Sequence, residues 1–287
     1  MIVARTIEEI RAAVAGAKSA GHVVGLVPTM GALHAGHYSL IDAARRQCVF
    51  VAVSIFVNPI QFGPCEDLAK YPRTPEADLA GCQAHGVAAV LMPDVHEMYP
   101  RPCRTVVDVP DLGRTLCGAS RPGHFAGVCT VVAKLFNIVQ PDVAYFGAKD
   151  FQQAAIIRRL AGELNFPLAI EVCPTVRESD GLALSSRNAY LTPDQRQEAP
   201  ALWQSLQMAA EMVAARRPAA GEVVEAILAH LASRAPSGVV DYVEIVDPRE
   251  LSPVERTDSK VLIALAVRFG RARLIDNILV DSEGPGR

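Results

Sequence analysis

Several functional classes are excluded by what this sequence does not contain. Its seven cysteines form no C-x-x-C pair and do not cluster with histidine at zinc-ligand spacing, so an odd set of reduced thiols in a cytoplasmic protein is expected. There is no basic excess: the net charge is −3 with signs interspersed, which leaves no electrostatic footprint for nucleic acid and requires any anionic ligand to be held by a local cluster. No uninterrupted apolar run reaches membrane-spanning length, and residues 1–15 lack the basic-then-apolar order of a secretory signal, so a soluble, unexported protein is expected. Internal repeats and low-complexity tracts are missing. So are G-x-x-x-x-G-K-[ST], G-x-G-x-x-G after the first predicted strand, and a nucleophile elbow. That removes the P-loop, the dinucleotide fingerprint and any indication of covalent catalysis.

What is present is a hydrophobic half among 287 residues, enough for a substantial core. Residues 6–20 predict an amphipathic helix opened by Thr6 and Glu9 in capping-box spacing. Buried strands are predicted at 23–27, ended by Pro28, and at 49–57, 87–92, 142–146 and 168–172, with a short alternating strand at 105–109. Between them lie predicted helices after Gly36 and at 75–85, 128–139 and 151–164. Strand–loop–helix units of this kind predict an α/β fold, a doubly wound parallel sheet over residues 1–175. Past Pro174 the pattern changes. Helices at 193–216 and 221–235, half-buried strands at 239–246 and 261–269, and a return strand at 274–278 predict a smaller C-terminal α+β domain over residues 176–287, with 282–287 loose.

His34-Ala35-Gly36-His37 stands where the first predicted strand gives way to a helix. At a spacing of three, the two imidazoles share a face with the free N–H groups and the positive dipole end of that helix, a place suited to phosphate. A structural reading stays equally open, with one histidine capping the helix and the other half-buried. Three more loops end at the same sheet edge, carrying Asn58 and Gln61, Arg121 and His124, and Lys149 and Asp150. Each alone reads as readily as a surface or salt-bridge residue. Their common position at the carboxyl ends of parallel strands points to a ligand site. Ser185-Ser186-Arg187 adds hydroxyls, backbone donors and a guanidinium, and the cluster reads as a nucleotide phosphate site.

These motifs, with Phe56-Val57-Asn58-Pro59-Ile60-Gln61-Phe62, Tyr71-Pro72-Arg73-Thr74, Arg121-Pro122-Gly123-His124-Phe125 and Phe146-Gly147-Ala148-Lys149-Asp150-Phe151-Gln152-Gln153, resemble the pantothenate synthetase (pantoate–β-alanine ligase) family. His-x-Gly-His alone would indicate only the wider nucleotidyltransferase superfamily. The resemblance implies a Rossmann-like N-terminal domain with a C-terminal lid, a homodimer, and no nucleic-acid or membrane partner. It implies ATP-dependent adenylation of pantoate, then attack by β-alanine to give pantothenate and AMP. It further implies that ATP, with Mg²⁺, meets Met30, Gly31, Ala32, Leu33, His34, Ala35, Gly36, His37, Gly147, Ala148, Lys149, Asp150, Val176, Leu184, Ser185, Ser186 and Arg187. Among these His34, His37, Lys149, Ser185, Ser186 and Arg187 are the implied catalytic set. Gln61, Gln153 and Arg121 are implied to hold pantoate, Gln61 to face β-alanine as well, and Asp78 to contact the metal. The chain departs from the family pattern at Ala148, where Glu is usual, at Ala77 in a segment that often carries paired acids, and at Leu184, where Met is common. The alternatives are a superfamily member that adenylates another acid, against which Gln61 and Gln153 stand, and a catalytically silent nucleotide-binding protein, against which the retained histidines, Lys149 and Ser185-Ser186-Arg187 stand.

Overall fold

Strands covered by helices on both faces need no polar alternation, and the apolar runs of this chain pair accordingly into one parallel sheet. The computed structural model describes residues 1–63 and 68–281, so the tail expected to be loose, along with Pro64, Cys65 and Glu66, lies outside the described residues. The sheet contains β1 (Ile2–Ala4), β2 (Val24–Thr29), β3 (Phe50–Ile55), β4 (Ala89–Leu91), β5 (Val143–Gly147) and β6 (Ala169–Cys173), in the order β1-β4-β3-β2-β5-β6. The winding reverses between β2 and β5, and a crevice opens beyond their carboxyl ends, where ligands bind in sheets of this kind.

The connecting helices are α1 (Ile7–Ser19), α2 (Ala35–Gln47), α3 (Pro75–Ala84), α4 (Val95–Met98), α5 (Pro110–Gly113), α6 (Cys117–Ser120), α7 (His124–Val139) and α8 (Phe151–Glu163). The Thr6–Glu9 capping box opens α1 as its spacing predicts. Side chains alternate across the sheet, so Leu26 joins the core with Ile10 and Phe136, while Val27 joins Ile41 and Val53 on the other face.

Four local expectations are corrected. Pro28 lies inside β2, opposite Ser54, and does not end it; β5 reaches only Gly25 and Leu26, so the missing donor falls where no neighbour requires it. β1 precedes the predicted first strand and is only three residues long, too short to show a pattern. Residues 105–109 form no strand; Val107 instead exchanges hydrogen bonds with the Thr130 hydroxyl on α7, through its N–H at 3.0 Å and its carbonyl at 3.4 Å. The α7 helix starts at His124, earlier than its apolar run, because Gly123 at φ +82° turns the chain directly into it.

Beyond β6 come α9 (Pro193–Glu198), α10 (Ala201–Arg216) and α11 (Ala220–Arg234), then an antiparallel sheet of β7 (Val239–Val246), β8 (Val261–Phe269) and β9 (Ala272–Val280) in that order. The predicted helix 193–216 is thus two helices with Pro200 at the break. β8 is buried on both faces, where half-burial is the sequence expectation. Ile263, Leu265 and Val267 pack in one core with Leu206 and Ile227 of α10 and α11, while Leu262 and Ala264 join the core of the larger sheet.

Candidate functional site

The loop after β2 is built around two consecutive left-handed residues, Gly31 at φ +84° and Ala32 at φ +50°. The second is unfavourable for alanine and must be held by its surroundings. Asp78 on α3 holds it: one carboxylate oxygen accepts the N–H of Ala32 at 3.0 Å, the other the N–H of Leu33 at 2.8 Å and the hydroxyl of Thr74 at 3.1 Å. Asp78, for which the resemblance implies a metal contact, is buried, clamps the histidine loop and is not among the residues lining the cleft in which His34 and His37 lie.

His34 caps α2. Its Nδ1 accepts the N–H of Gly36 at 3.1 Å, and Nδ1 of His37 accepts the N–H of His34 at 3.3 Å. An imidazole nitrogen that accepts a hydrogen bond carries no proton, so each neutral ring has its proton on Nε2. Capping, which the sequence poses as an alternative to anion binding, uses Nδ1 and so leaves the opposite nitrogen of each ring available as a donor. The ring centroids are 4.2 Å apart. Burial pushes the His37 pKa down to about 3, with His34 and Lys149 adding to it, and burial followed by Lys149 lowers that of His34.

A pH dependence follows from the buried neutral imidazole. An unfolded histidine takes up a proton near its ordinary value of 6.5 while folded His37 does not, so the unfolded state binds more protons in acid and stability falls as pH drops below that value. His37→Asn is expected to remove part of this fall. Urea midpoints near pH 7 and pH 5 measure it, and an identical pH dependence in both proteins would contradict a neutral buried ring.

Gln61 ends the 3-10 turn Pro59–Gln61 and is buried. Its amide donates to Sδ of Met30 at 3.0 Å and accepts from Asn58 at 3.1 Å. Asn58 is itself oriented by donating to the Gly127 carbonyl and accepting from the Tyr99 hydroxyl. His124 donates from Nδ1 to the Gln61 carbonyl at 2.8 Å and accepts the Arg121 guanidinium at 3.0 Å. This close docking of α7 requires glycine at 127, where a Cβ would lie 2.5 Å from the Ile60 carbonyl oxygen.

One cleft brings together Met30, His34, Gly36, His37, Gln61 and Gly147 with Lys149, Asp150, Gln153, Val176, Leu184, Ser185, Ser186 and Arg187. Lys149 and Asp150 form an ion pair at 3.7 Å ahead of α8. The Ser185 hydroxyl accepts the N–H of Arg187 at 3.2 Å and so shapes the turn that presents both. Gly31, Ala32, Leu33 and Ala35 are not among the lining residues; the first three lie in the clamped turn and Ala35 opens α2. Arg121 lines an adjoining cavity, and Ala148 contributes its carbonyl to a contact with Asn277.

Sequence reading misses Arg177, Asp276 and Asn277. Asp276, buried in β9, accepts two hydrogen bonds from Arg177 at 2.7 and 3.0 Å, and the Asn277 amide donates to the carbonyls of Ala148 and Lys149 at 3.1 and 2.9 Å. One dipeptide of the smaller sheet thus fixes both loops that carry cations into the cleft. An Asp-Asn pair inside the apolar run of β9 is the signal that could have found them.

A doubly wound parallel sheet with paired imidazoles, a lysine and a Ser-Ser-Arg turn at its switch point defines a nucleotide-binding α/β enzyme. The pantoate-beta-alanine ligase family model matches residues 2–279. The pantothenate synthetase of Moorella thermoacetica is 52% identical over 96% of this chain and 98% of its own length, and that of Koribacter versatilis is 50% identical over 100% and 98%. The crystal structure of pantothenate synthetase from Thermus thermophilus superposes with a TM-score of 0.89 at 46% identity, covering 97% of this chain and 99% of that one. Pantoate-beta-alanine ligase from Francisella tularensis, complexed with beta-gamma ATP and beta-alanine, gives 0.80 at 32% identity and 99% coverage of both chains. The chain belongs to the pantoate–β-alanine ligase family and is a ligase.

Proposed function

We propose that the cleft between β2 and β5 carries out the family reaction in two steps: ATP and (R)-pantoate give pantoyl adenylate and pyrophosphate, then β-alanine gives pantothenate and AMP. The observation that carries this reading is the single cleft in which Nε2–H donors, Lys149 and Ser185-Ser186-Arg187 face the neutral amides Gln61 and Gln153. In the first step a carboxylate oxygen of pantoate bonds to the α-phosphorus, and the α–β bridging bond breaks with its electron pair leaving on pyrophosphate. Negative charge grows on the departing group, and donors already fixed in place (His37, Lys149, Ser186 and Arg187) stabilise it with little reorganisation. Gln61 and Gln153 bind pantoate's hydroxyls and carboxylate without neutralising the attacking oxygen, and Met30, Gly147, Val176 and Leu184 form the walls for the nucleoside. In the second step the β-alanine amine bonds to the acyl carbon, the acyl–phosphate bond breaks, and the nitrogen loses a proton as AMP departs. The smaller domain, divided from the larger near residue 175, keeps water from the mixed anhydride.

Mg²⁺ fits as an ion carried by the ATP phosphates, since Mg²⁺ takes one or two carboxylates plus phosphate and water. Among the described residues Asp150 is the carboxylate lining the cleft, and no group of three or more His, Cys, Asp or Glu forms a protein-held metal site. The ion would offset phosphate charge. A homodimer in the cytoplasm is the assembly and location that the family resemblance suggests; among the described residues no helix is long and apolar enough to cross a membrane. The test is a coupled assay in which AMP formation requires ATP, pantoate, β-alanine and Mg²⁺ together. Turnover independent of β-alanine would defeat the ligase reading.

A further inference from the structure

Beside the nucleotide cleft lies a second cavity, and the two share Lys149, Asp150, Gln153, Ser185 and Arg187 as a common wall. The far side of this cavity is cationic: Arg121 comes from the segment before α7, and Arg268, Arg271 and Arg273 come from the β8–β9 hairpin. Among its described lining residues the two carboxylates are already engaged, Asp150 by Lys149 at 3.7 Å and Asp276 by Arg177 at 2.7 Å. Asp241 neutralises Arg273 at 2.7 Å but is only within 3.9 Å of Arg268. Arg271, exposed at the tip of the hairpin, has no ion-pair or hydrogen-bond partner among the described residues. Guanidinium groups converging on a concave place repel one another when it is empty, and their planar forks match phosphoryl oxygens. A compact anion with several charges is the ligand that offsets this repulsion and engages Arg268 and Arg271.

The shared wall ties this cavity to the chemistry. Lys149 and Arg187 are assigned above to the phosphate chain of ATP, and both also line the arginine-rich cavity. We propose that the second cavity receives the leaving pyrophosphate. It draws the product away from the pantoyl adenylate and gives it a way out that does not cross the nucleotide. This rests on the adenylation reading and adds to it a second anion site on the smaller domain. The linked phosphoryl groups could equally come from ATP itself reaching into the cavity, and the test separates the two sources.

Arg268 is an exposed residue near the end of β8 and Arg271 lies in the exposed turn that follows, so Arg268→Ser/Arg271→Ser is expected to fold normally. Each lost guanidinium–phosphate contact, screened by solvent, is expected to weaken binding about threefold. The inhibition constant of inorganic pyrophosphate in the forward assay therefore rises about tenfold in the double variant. Equilibrium dialysis of radiolabelled pyrophosphate against the free enzyme shows the same loss, while KM for ATP stays within about twofold. An unchanged pyrophosphate constant overturns the proposal. So does an equal rise in KM for ATP, which would place the nucleotide's own β- and γ-phosphates there. If the wild-type enzyme forms no AMP from pantoate and β-alanine, the functional reading fails instead; normal turnover with unaltered pyrophosphate inhibition in the variant defeats only the second site.

Discussion

Replacing His37 by alanine is expected to slow pantoyl-adenylate formation by about 10²–10³-fold, the range for loss of one preorganised transition-state donor. His37 suits that role because its ring is fixed before substrate arrives. Nδ1 accepts the His34 N–H at 3.3 Å, which leaves Nε2–H as the free donor. Burial keeps the ring neutral, so it offers a dipole and not a charge that ground-state ATP would bind equally well. The loss should therefore fall on the rate more than on the KM for ATP. His37→Asn separates catalysis from capping: its amide oxygen can keep the backbone bond near the Nδ1 position but does not reach the place of Nε2. Both variants are expected to be slow in single-turnover release of pyrophosphate. An asparagine variant within about tenfold of wild type would reduce His37 to a loop-capping residue.

The parts of this fold that could be read from sequence are those fixed by neighbours a few residues away. The strands at 23–27 and 49–57 read as buried because their apolar runs do not alternate, and Thr6 with Glu9 marks a helix whose first residue the structure places one position on, at Ile7. The same reasoning fails where a distant partner decides the outcome. Residues 105–109 alternate like a strand, but the Thr130 hydroxyl takes the place of a neighbouring strand. Pro28 ends a strand by local rule, yet β2 has no partner on that side for it to disrupt. His34 and His37, Gln61, and Lys149 with Asp150 could be placed in the cleft because they follow β2, β3 and β5, whereas Ser185-Ser186-Arg187 lies well past β6 and its place there came with the family resemblance. The groups that hold them could not. Asp78 enters the sequence reading only as an implied metal contact, and its hold on the loop 45 and 46 residues away has no local signal. Asp276 and Asn277 meet partners 99 and 128 or 129 residues distant, beyond any spacing rule.

Asp276→Ala is expected to destabilise the protein by roughly 3–5 kcal/mol, the range for removing one partner of a buried ion pair. The side chains of Arg177 and Asp276 are 17% and 3% exposed, so the guanidinium left behind cannot regain full hydration. It is held in place by stacking over Trp203 at 3.5 Å from the ring centroid and by donating to the Gly181 carbonyl at 3.1 Å. Arg177 in turn bridges to Ala183 in the hairpin that leads to Ser185-Ser186-Arg187, so the loss reaches the phosphate-binding turn. Asp276 also accepts the N–H of Asn277 at 2.8 Å, and Asn277 anchors the Lys149 loop. Loosening of both loops should raise KM for ATP in the fraction of enzyme that remains folded. Asn277→Ala, which leaves the ion pair intact, should show the activity change with a much smaller loss of stability. Urea unfolding and initial rates on the same samples measure the two effects. If Asp276→Ala loses stability while its folded fraction keeps the wild-type KM, the pair serves only the fold and the positioning role is wrong.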